Sequence, residues 1–375
     1  MKIEMVDLKG QYVHIQQEVD EVVLSAIREA QFINGPQVGS FANELSEYLD
    51  GAQVIPCANG TDALQIAMMA LDLEPGDEVI VPSFTYVATA EVIGLLQLTP
   101  VMVDVDPNSF NITADTIRPA ITSKTKAIVP VHLFGQCVDM ESILTLAKEN
   151  GLYVIEDTAQ AIGASYTFKD GTKKKAGTMG HIGCTSFFPS KNLGCYGDGG
   201  AIYTMDSDLA DRLRMIANHG QVKKYVHKYI GVNSRLDTIQ AAILRIKLRN
   251  LDSYSAARYA AAEKYDSLLN GIDGLILPQR QINSTHVFHQ YTLKVLGGKR
   301  DALKKHLELA GIPAMIYYPI PLNEQEAYQL IGDVVGDLSV TQELCTSVLS
   351  IPMHTELNDE QIRFITDTII TFFNR

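Results

Sequence analysis

Lys191 stands at the end of the strand-like run Cys184-Thr185-Ser186-Phe187-Phe188-Pro189-Ser190 and ahead of a glycine-rich loop, Asn192 to Gly200. An ammonium at the edge of an apolar core is partly desolvated, loses its proton more readily, and becomes a nucleophile able to form an imine with a carbonyl. A solvated lysine at a strand-to-loop boundary is the plainer reading of the same residue. Asp157 closes a second apolar run, Leu152 to Ile155, with Gln160 one helical turn further on. A carboxylate there can cap a helix; paired with Lys191 it can do more. An aromatic nitrogen heterocycle held between them would find an anion for its ring nitrogen and an amine for its carbonyl. The turn Asn59-Gly60-Thr61, ahead of a helical stretch from Asp62 to Leu71, adds free backbone N–H groups and a hydroxyl. Such a helix start suits an anion, although simple capping by Asn59, Thr61 or Asp62 is the common alternative.

The elements that must position these residues alternate. Apolar spacing predicts helices over 11–30 and 38–49, then strands over 78–82, 101–105, 127–131 and 152–155, separated by helices over 85–96, 113–120 and 140–150. Strands that are apolar throughout, with helices between them, describe a mostly parallel sheet covered on both faces. Ligands of such α/β sheets bind beyond the carboxyl ends of the strands, where Asp157 and Lys191 both fall. A helix follows over 208–218, and 237–269 reads as one long helix or two joined ones. The domain boundary is expected near residue 250, giving a large domain over 1–250 and a smaller one over 251–375. In the latter, strands are expected over 287–295 and 315–318, with helices over 300–310, 340–349 and 359–373.

The totals narrow the class. The chain has 375 residues, enough for a large and a small domain, and 46% hydrophobic residues with 27 glycines and 14 prolines is ordinary for a soluble globular protein. No apolar run is long enough for a membrane span, and the first residues lack the pattern of a signal peptide. A net charge of −13 argues against nucleic acid as the main partner. The five cysteines form neither a zinc pattern nor a disulfide framework, and a cytoplasmic setting is expected. The strongest basic cluster, Lys223 to Lys228, leads into Gly231-Val232-Asn233-Ser234-Arg235 and reads as a solvated loop, an anion-facing loop or a subunit contact. The histidines at 132, 219, 227, 289 and 354 carry no pattern of their own: His132 reads as packing, and His354 as lining a substrate site.

A lysine for an imine, an acid for a ring nitrogen, a phosphate cradle and a flat stacking surface are the needs of pyridoxal phosphate. The sequence resembles the DegT/DnrJ/EryC1/StrS sugar aminotransferases of fold-type I pyridoxal-phosphate enzymes over essentially its whole length. The resemblance is carried by Asn59 to Leu64, Pro82 to Thr89, Pro130 to Gln136, Glu156 to Gln160, Ser186 to Lys191, Gly197 to Gly200, Asn233-Ser234-Arg235 and Tyr318-Pro319. It implies that Lys191 carries the cofactor as an imine and later moves the proton. Asp157 would pair with the pyridine nitrogen, Gln160 with the ring hydroxyl, and Tyr86 with the ring face. Gly60, Thr61 and Ser186 would hold the phosphate, joined by Asn233 from the neighbouring subunit of a homodimer. Arg235, Tyr317, Tyr318 and His354 would meet the substrate.

The reaction implied moves the amino group of L-glutamate to a nucleotide-linked keto sugar, the cofactor passing through its pyridoxamine phosphate form. The stretches from Lys191 to Ala201 and from Gly231 to Arg235 look like those of members acting on UDP-2-acetamido-2-deoxy-3-oxo-D-glucuronate at C3 in surface polysaccharide biosynthesis. A dTDP-linked 3-keto or 4-keto-6-deoxy sugar is the alternative substrate. A dehydratase or lyase, or a non-catalytic regulator on the same fold, is the alternative function. Tyr317 departs from the histidine that many members carry before the tyrosine-proline pair, and a tyrosine does not titrate near neutral pH. The presence of Lys191 argues against the offshoot that replaces the lysine by histidine.

Overall fold

The computed structural model describes residues 2–374. Its centre is an eight-stranded sheet. In spatial order the strands are Gln53–Cys57, Gly200–Thr204, Ile182–Ser186, Tyr153–Asp157, Thr125–Ile128, Glu78–Pro82, Thr99–Val103 and Asp333–Val334. Ile182–Ser186 through Asp333–Val334 run parallel; Gly200–Thr204 is antiparallel to both of its neighbours. Every residue of Glu78–Pro82 and of Gly200–Thr204 is buried. That is why these strands read as continuous apolar runs without alternation. Two large apolar clusters lie about the sheet: one holds Ile80, Val103, Val154 and Leu146, the other Val79, Val81, Ile155 and Ile182. The odd and even residues of one strand thus point to opposite clusters.

The long stretch over 237–269 divides at Asn250 into the helices Thr238–Arg249 and Leu251–Leu269. A separate cluster unites Ala262, Tyr265 and Leu269 of the second helix with Leu293, Leu307, Leu349, Ile365 and, from the chain start, Ile3. Its sheet is three-stranded and antiparallel, Leu275–Ile276, Tyr291–Val295 and Val348–Ile351.

Three expected elements come out differently. The helix expected from Thr85 begins at Ala88, because Ser83 still bonds as strand, donating to the Val103 carbonyl and accepting from Leu322 N. Thr85 and Tyr86 are thereby left on the loop at the strand end. The strand expected over 287–295 is only Tyr291–Val295, since Val287 N donates to Gly135 and Phe288 takes a φ of 45°. The strand expected over 315–318 reduces to a single bridge, Met315 with Ser350; Pro313, Pro319 and Pro321 deny this stretch the N–H groups a ladder requires.

Two packing arrangements fix the segments that matter most. Phe187 is fully buried and meets Phe41 of the helix Pro36–Tyr48 edge to face, ring centroids 5.4 Å apart; Leu193, beyond Lys191, is equally buried. Each such side chain stabilises the fold by about 1.5–3 kcal/mol, so the loop bearing Lys191 is pinned on both sides. Next to Asp157, Glu156 is wholly buried and accepts from Gly177 N, Met179 N and Gly180 N at 2.7, 2.7 and 2.5 Å. His132 Nδ1 accepts from Val138 N, so its proton sits on Nε2 and goes to Glu156 at 2.9 Å. Glu156 thus ties the turn entering Ile182–Ser186 to the strand that carries Asp157. Glu156→Gln puts an N–H donor against backbone donors and is expected to destabilise the protein by about 3 kcal/mol, read from its denaturant midpoint.

Candidate active site

The carboxyl ends of the parallel strands open into one cavity of about 830 Å³. Gly60, Thr61, Tyr86, Asp157, Gln160, Ser186, Lys191, Tyr317 and Tyr318 all border it. Asn233, Arg235 and His354 do not. Asn233 is exposed and forms a bridge with Asn218, whereas Ser234 between it and Arg235 is buried and accepts from Ala58 N at 3.0 Å. The segment is therefore locked to the turn behind Asn59 while its flanking side chains stay outside this chain's own cavity. His354 is buried beside Arg258, its Nδ1 accepting from Glu356 N and its Nε2 without a partner; burial pushes it down to about 4. The structure does not bring it to the cavity.

Asp157 is buried, with Oδ2 accepting from Thr89 Oγ1 at 2.9 Å and Oδ1 from Ala159 N at 3.1 Å. Burial raises its pKa, against the pull of those bonds and of the Lys191 charge. Lys191 is half-buried and borders the cavity; burial pushes its amine down to about 8, with the Asp157 charge acting in the opposite sense. Each group needs the other's charge, or a cation of a bound ring, to remain ionised.

The phosphate end is equally specific. The helix Gly60–Met69 is capped by Asn59, which accepts from Asp62 N at 2.8 Å. Gly60 N and Thr61 N have no acceptor among the described residues. A Cβ on Gly60 would lie 2.7 Å from the Ser186 Cβ, so the backbone of this turn lies against Ser186 with no room for a side chain. Free amides, a threonine and a serine hydroxyl, and the helix N-terminus converge as an anion cradle requires.

Gln160 is more committed than its sequence position suggests. Its Oε1 accepts from Phe134 N at 2.8 Å and its Nε2 donates to Tyr318 Oη at 3.1 Å, leaving one N–H for a ring oxygen. Tyr318 in turn has its own proton free; burial raises it far above the ordinary tyrosine value. Tyr86 is largely exposed at the cavity mouth, 6.3 Å from the Tyr318 ring, and is placed to cover a planar ligand. Thr89, the Phe134 amide, His289 and Asn192 were not assigned from the sequence. Thr89 sits in the Pro82–Thr89 motif; His289 has no motif around it, and only folding brings it here.

A lysine whose pKa is lowered by burial, opposed by a buried carboxylate and with an anion cradle at the other end, is the set of groups pyridoxal phosphate requires, and the residues fit that cofactor. The comparisons agree. The DegT/DnrJ/EryC1/StrS aminotransferase family model matches residues 13–370. The UDP-2-acetamido-2-deoxy-3-oxo-D-glucuronate aminotransferase of Pseudomonas aeruginosa is 45% identical, over 97% of this chain and 98% of that one. A pleiotropic regulatory protein of Geobacillus stearothermophilus is 42% identical over 100% of this chain and 99% of its own. The solved structure of S. venezuelae DesV in complex with a ketimine intermediate superposes with a TM-score of 0.95 at 37% identity, covering 100% of this chain and 99% of that one. This chain belongs to the DegT/DnrJ/EryC1/StrS aminotransferase family. It has the fold-type I architecture and is a pyridoxal-phosphate-dependent sugar aminotransferase.

Capture of pyridoxal phosphate by the cofactor-free protein requires the neutral amine, so its rate is expected to rise with pH through a midpoint near 8, not 10.5. Asp157→Asn removes the charge that favours the ammonium and should move that midpoint down by about one unit. Lys191→Ala should give no imine absorbance at any pH. Gly60→Ala should weaken cofactor affinity at least about tenfold, measured by absorbance titration, by displacing Ser186 from the cradle.

Proposed function

We propose that the enzyme transfers the amino group of L-glutamate to C3 of UDP-2-acetamido-2-deoxy-3-oxo-D-glucuronate, supplying a 3-amino sugar for surface polysaccharide. The observation that carries the substrate is Arg235. It is half-buried, and no carboxylate pairs with it among the described residues. A guanidinium held in that state by the buried Ser234 seeks a planar anion, and a uronate carboxylate supplies one for a bidentate contact. The likeness to the P. aeruginosa enzyme supports the same sugar. Because Asn233 and Arg235 stay outside their own chain's cavity, we assign them to the cavity of a second copy, in a homodimer with shared sites. Asn233 would reach the phosphate there.

Each residue then has a task. Gly60, Thr61 and Ser186 would hold the phosphate, Asp157 would keep the ring nitrogen protonated, and Tyr86 would cover the ring. Bound there, the cofactor supplies an electron sink for the carbon that loses or gains the proton. Lys191 moves that proton, first from the donor and then to the sugar, so one side chain serves both halves of the reaction. Gln160 orients Tyr318, and Tyr317 and Tyr318 offer hydroxyls to the sugar. The division into domains over 1–250 and 251–375 follows the separate apolar cluster of the second half, although Ile3 and the strand Asp333–Val334 cross it. We place the reaction in the cytoplasm; the five cysteines are free and buried, and no described helix is long and apolar enough to cross a membrane.

A glutamate-dependent assay on the UDP-linked 3-oxo-uronate, with Arg235→Ala beside the wild type, tests this reading. The variant is expected to lose about 100-fold in kcat/KM for the uronate while its conversion by glutamate alone stays within a few-fold. A wild type that reacts with glutamate yet leaves the uronate untouched would direct the search to dTDP-linked 3- and 4-keto sugars. One that does not react with glutamate would favour a lyase or a regulator.

A further inference from the structure

Gln290 directly precedes the strand Tyr291–Val295, is more than nine-tenths buried, and borders the active-site cavity. Its backbone N–H donates to the Phe134 carbonyl at 3.4 Å, but its side chain makes no hydrogen bond among the described residues. Neither end of the carboxamide is sealed in protein. A carboxamide carries two N–H donors and an acceptor oxygen, and burying one without partners is costly. Gln290 also borders a second cavity of about 10 Å³, beside Gln136 and Gln279, with room for one water. One water meets one end of the amide and leaves the other for the main cavity.

Two short chains of contacts join this residue to the reacting end of the site. Phe134, which accepts from Gln290 N, donates its own N–H to Gln160 Oε1 at 2.8 Å. His289, the preceding residue, has its ring 3.2 Å from Asn192 Oδ1, and Asn192 follows Lys191 in the chain. The charges around the cavity complete the setting. Lys191 is the only cationic side chain that the described residues bring to its wall, against the carboxylates of Asp62, Asp157 and Asp198. Burial, with the positive charges of Lys191 and Arg258, holds His289 neutral. An amino acid reacting here carries its α-carboxylate on the very carbon whose amine is exchanged. With Arg235 assigned to the uronate, neutral donors are left to meet that carboxylate. Tyr317 and Tyr318 offer one proton each, whereas Gln290 offers two.

Resting on glutamate as the amino donor, we propose that Gln290 binds each substrate through the group beside the reacting carbon. Its N–H groups donate to the α-carboxylate of glutamate, and the same amide then meets a hydroxyl or acetamido group of the keto sugar. Both substrates use one cavity in turn, the first presenting an anion there and the second a neutral polar group. A guanidinium at this position would stay buried without an anion through the second half, which is costly. A carboxamide donates or accepts as required and leaves no charge unpaired.

The test compares Gln290→Leu and the isosteric Gln290→Glu with the wild type, each loaded with pyridoxal phosphate. The readout is the rate at which the cofactor's visible absorbance is lost on mixing with L-glutamate or with L-isoglutamine, in which an amide replaces the α-carboxylate. Gln290→Leu is expected to react at least about tenfold more slowly with glutamate, and its preference for glutamate over isoglutamine to shrink about fivefold. Gln290→Glu sets one carboxylate against another and is expected to lose at least about 100-fold with glutamate and less with isoglutamine. Cofactor affinity is expected to stay within a few-fold in both. A merely structural glutamine slows the two donors alike, and an unchanged preference overturns the proposal. Should a variant fail to fold, or isoglutamine fail to react, a crystal structure of the wild type with pyridoxal phosphate and 2-methylglutamate, which binds but has no proton to lose, decides instead. The Gln290 amide is expected within about 3.2 Å of the α-carboxylate, and a separation beyond about 4 Å overturns the proposal. A wild type that glutamate does not convert overturns the donor and this role together, whereas a converted wild type with an unchanged preference in Gln290→Leu overturns Gln290 alone.

Discussion

A carboxylate at a strand end and an amine on the loop after the neighbouring strand that face one cavity cannot titrate independently. Burial favours the neutral form of each, so Asp157 moves up and Lys191 down, and each charge partly restores the other. The rest of the site follows from that mutual dependence. The parallel pairing of Tyr153–Asp157 with Ile182–Ser186 sets Asp157 opposite Cys184. Phe187 and Leu193 then hold the loop that returns Lys191 towards the acid. A ring that brought its own cation to Asp157 and its carbonyl to Lys191 would relieve both groups at once.

Supports lie one layer out from these two residues. Glu156 gathers three backbone N–H groups and the His132 ring, so the strand that presents Asp157 and the turn into the next strand move as one piece. Thr89 and the Ala159 amide fix the carboxylate's orientation, while Gln160 spends its carbonyl on Phe134 and one N–H on Tyr318. Asn192 and Arg258 do the same for His289. Polar groups buried at this depth are costly unless satisfied, and satisfying them is what makes the site rigid.

The chain also carries polar groups that its own cavity does not use. Asn233 is exposed and Arg235 half-buried, yet Ser234 between them is fastened to Ala58. A rigid backbone with outward polar side chains is the arrangement expected where a second copy completes a site. The exposed apolar residues Phe188 and Ile230 are the kind of surface such a contact would cover.

What the sequence determined by itself was the order of strands and helices through the parallel core, and the residues at the strand ends. Those strands are buried on both faces, so their apolar runs are uninterrupted, and Asp157 and Ser186 are conspicuous as the polar residues that end them. Lys191 lies in the loop beyond Ser186 and not at the strand end where the sequence put it. Thr85 and Tyr86 were assigned to a helix they do not join, because the bonds that keep Ser83 extended come from Val103 and Leu322, distant in sequence. The stretch around Tyr317 and Tyr318 has apolar β-formers, yet prolines keep it out of a ladder and lay it along the cavity. His354, read from its place after Ile351-Pro352-Met353 as lining the substrate site, is buried beside Arg258, while His289, with no local signal, reaches the cavity. Periodicity reports which face of an element is buried. Which side chains meet at a site depends on long-range pairing, and only the tertiary structure decides that.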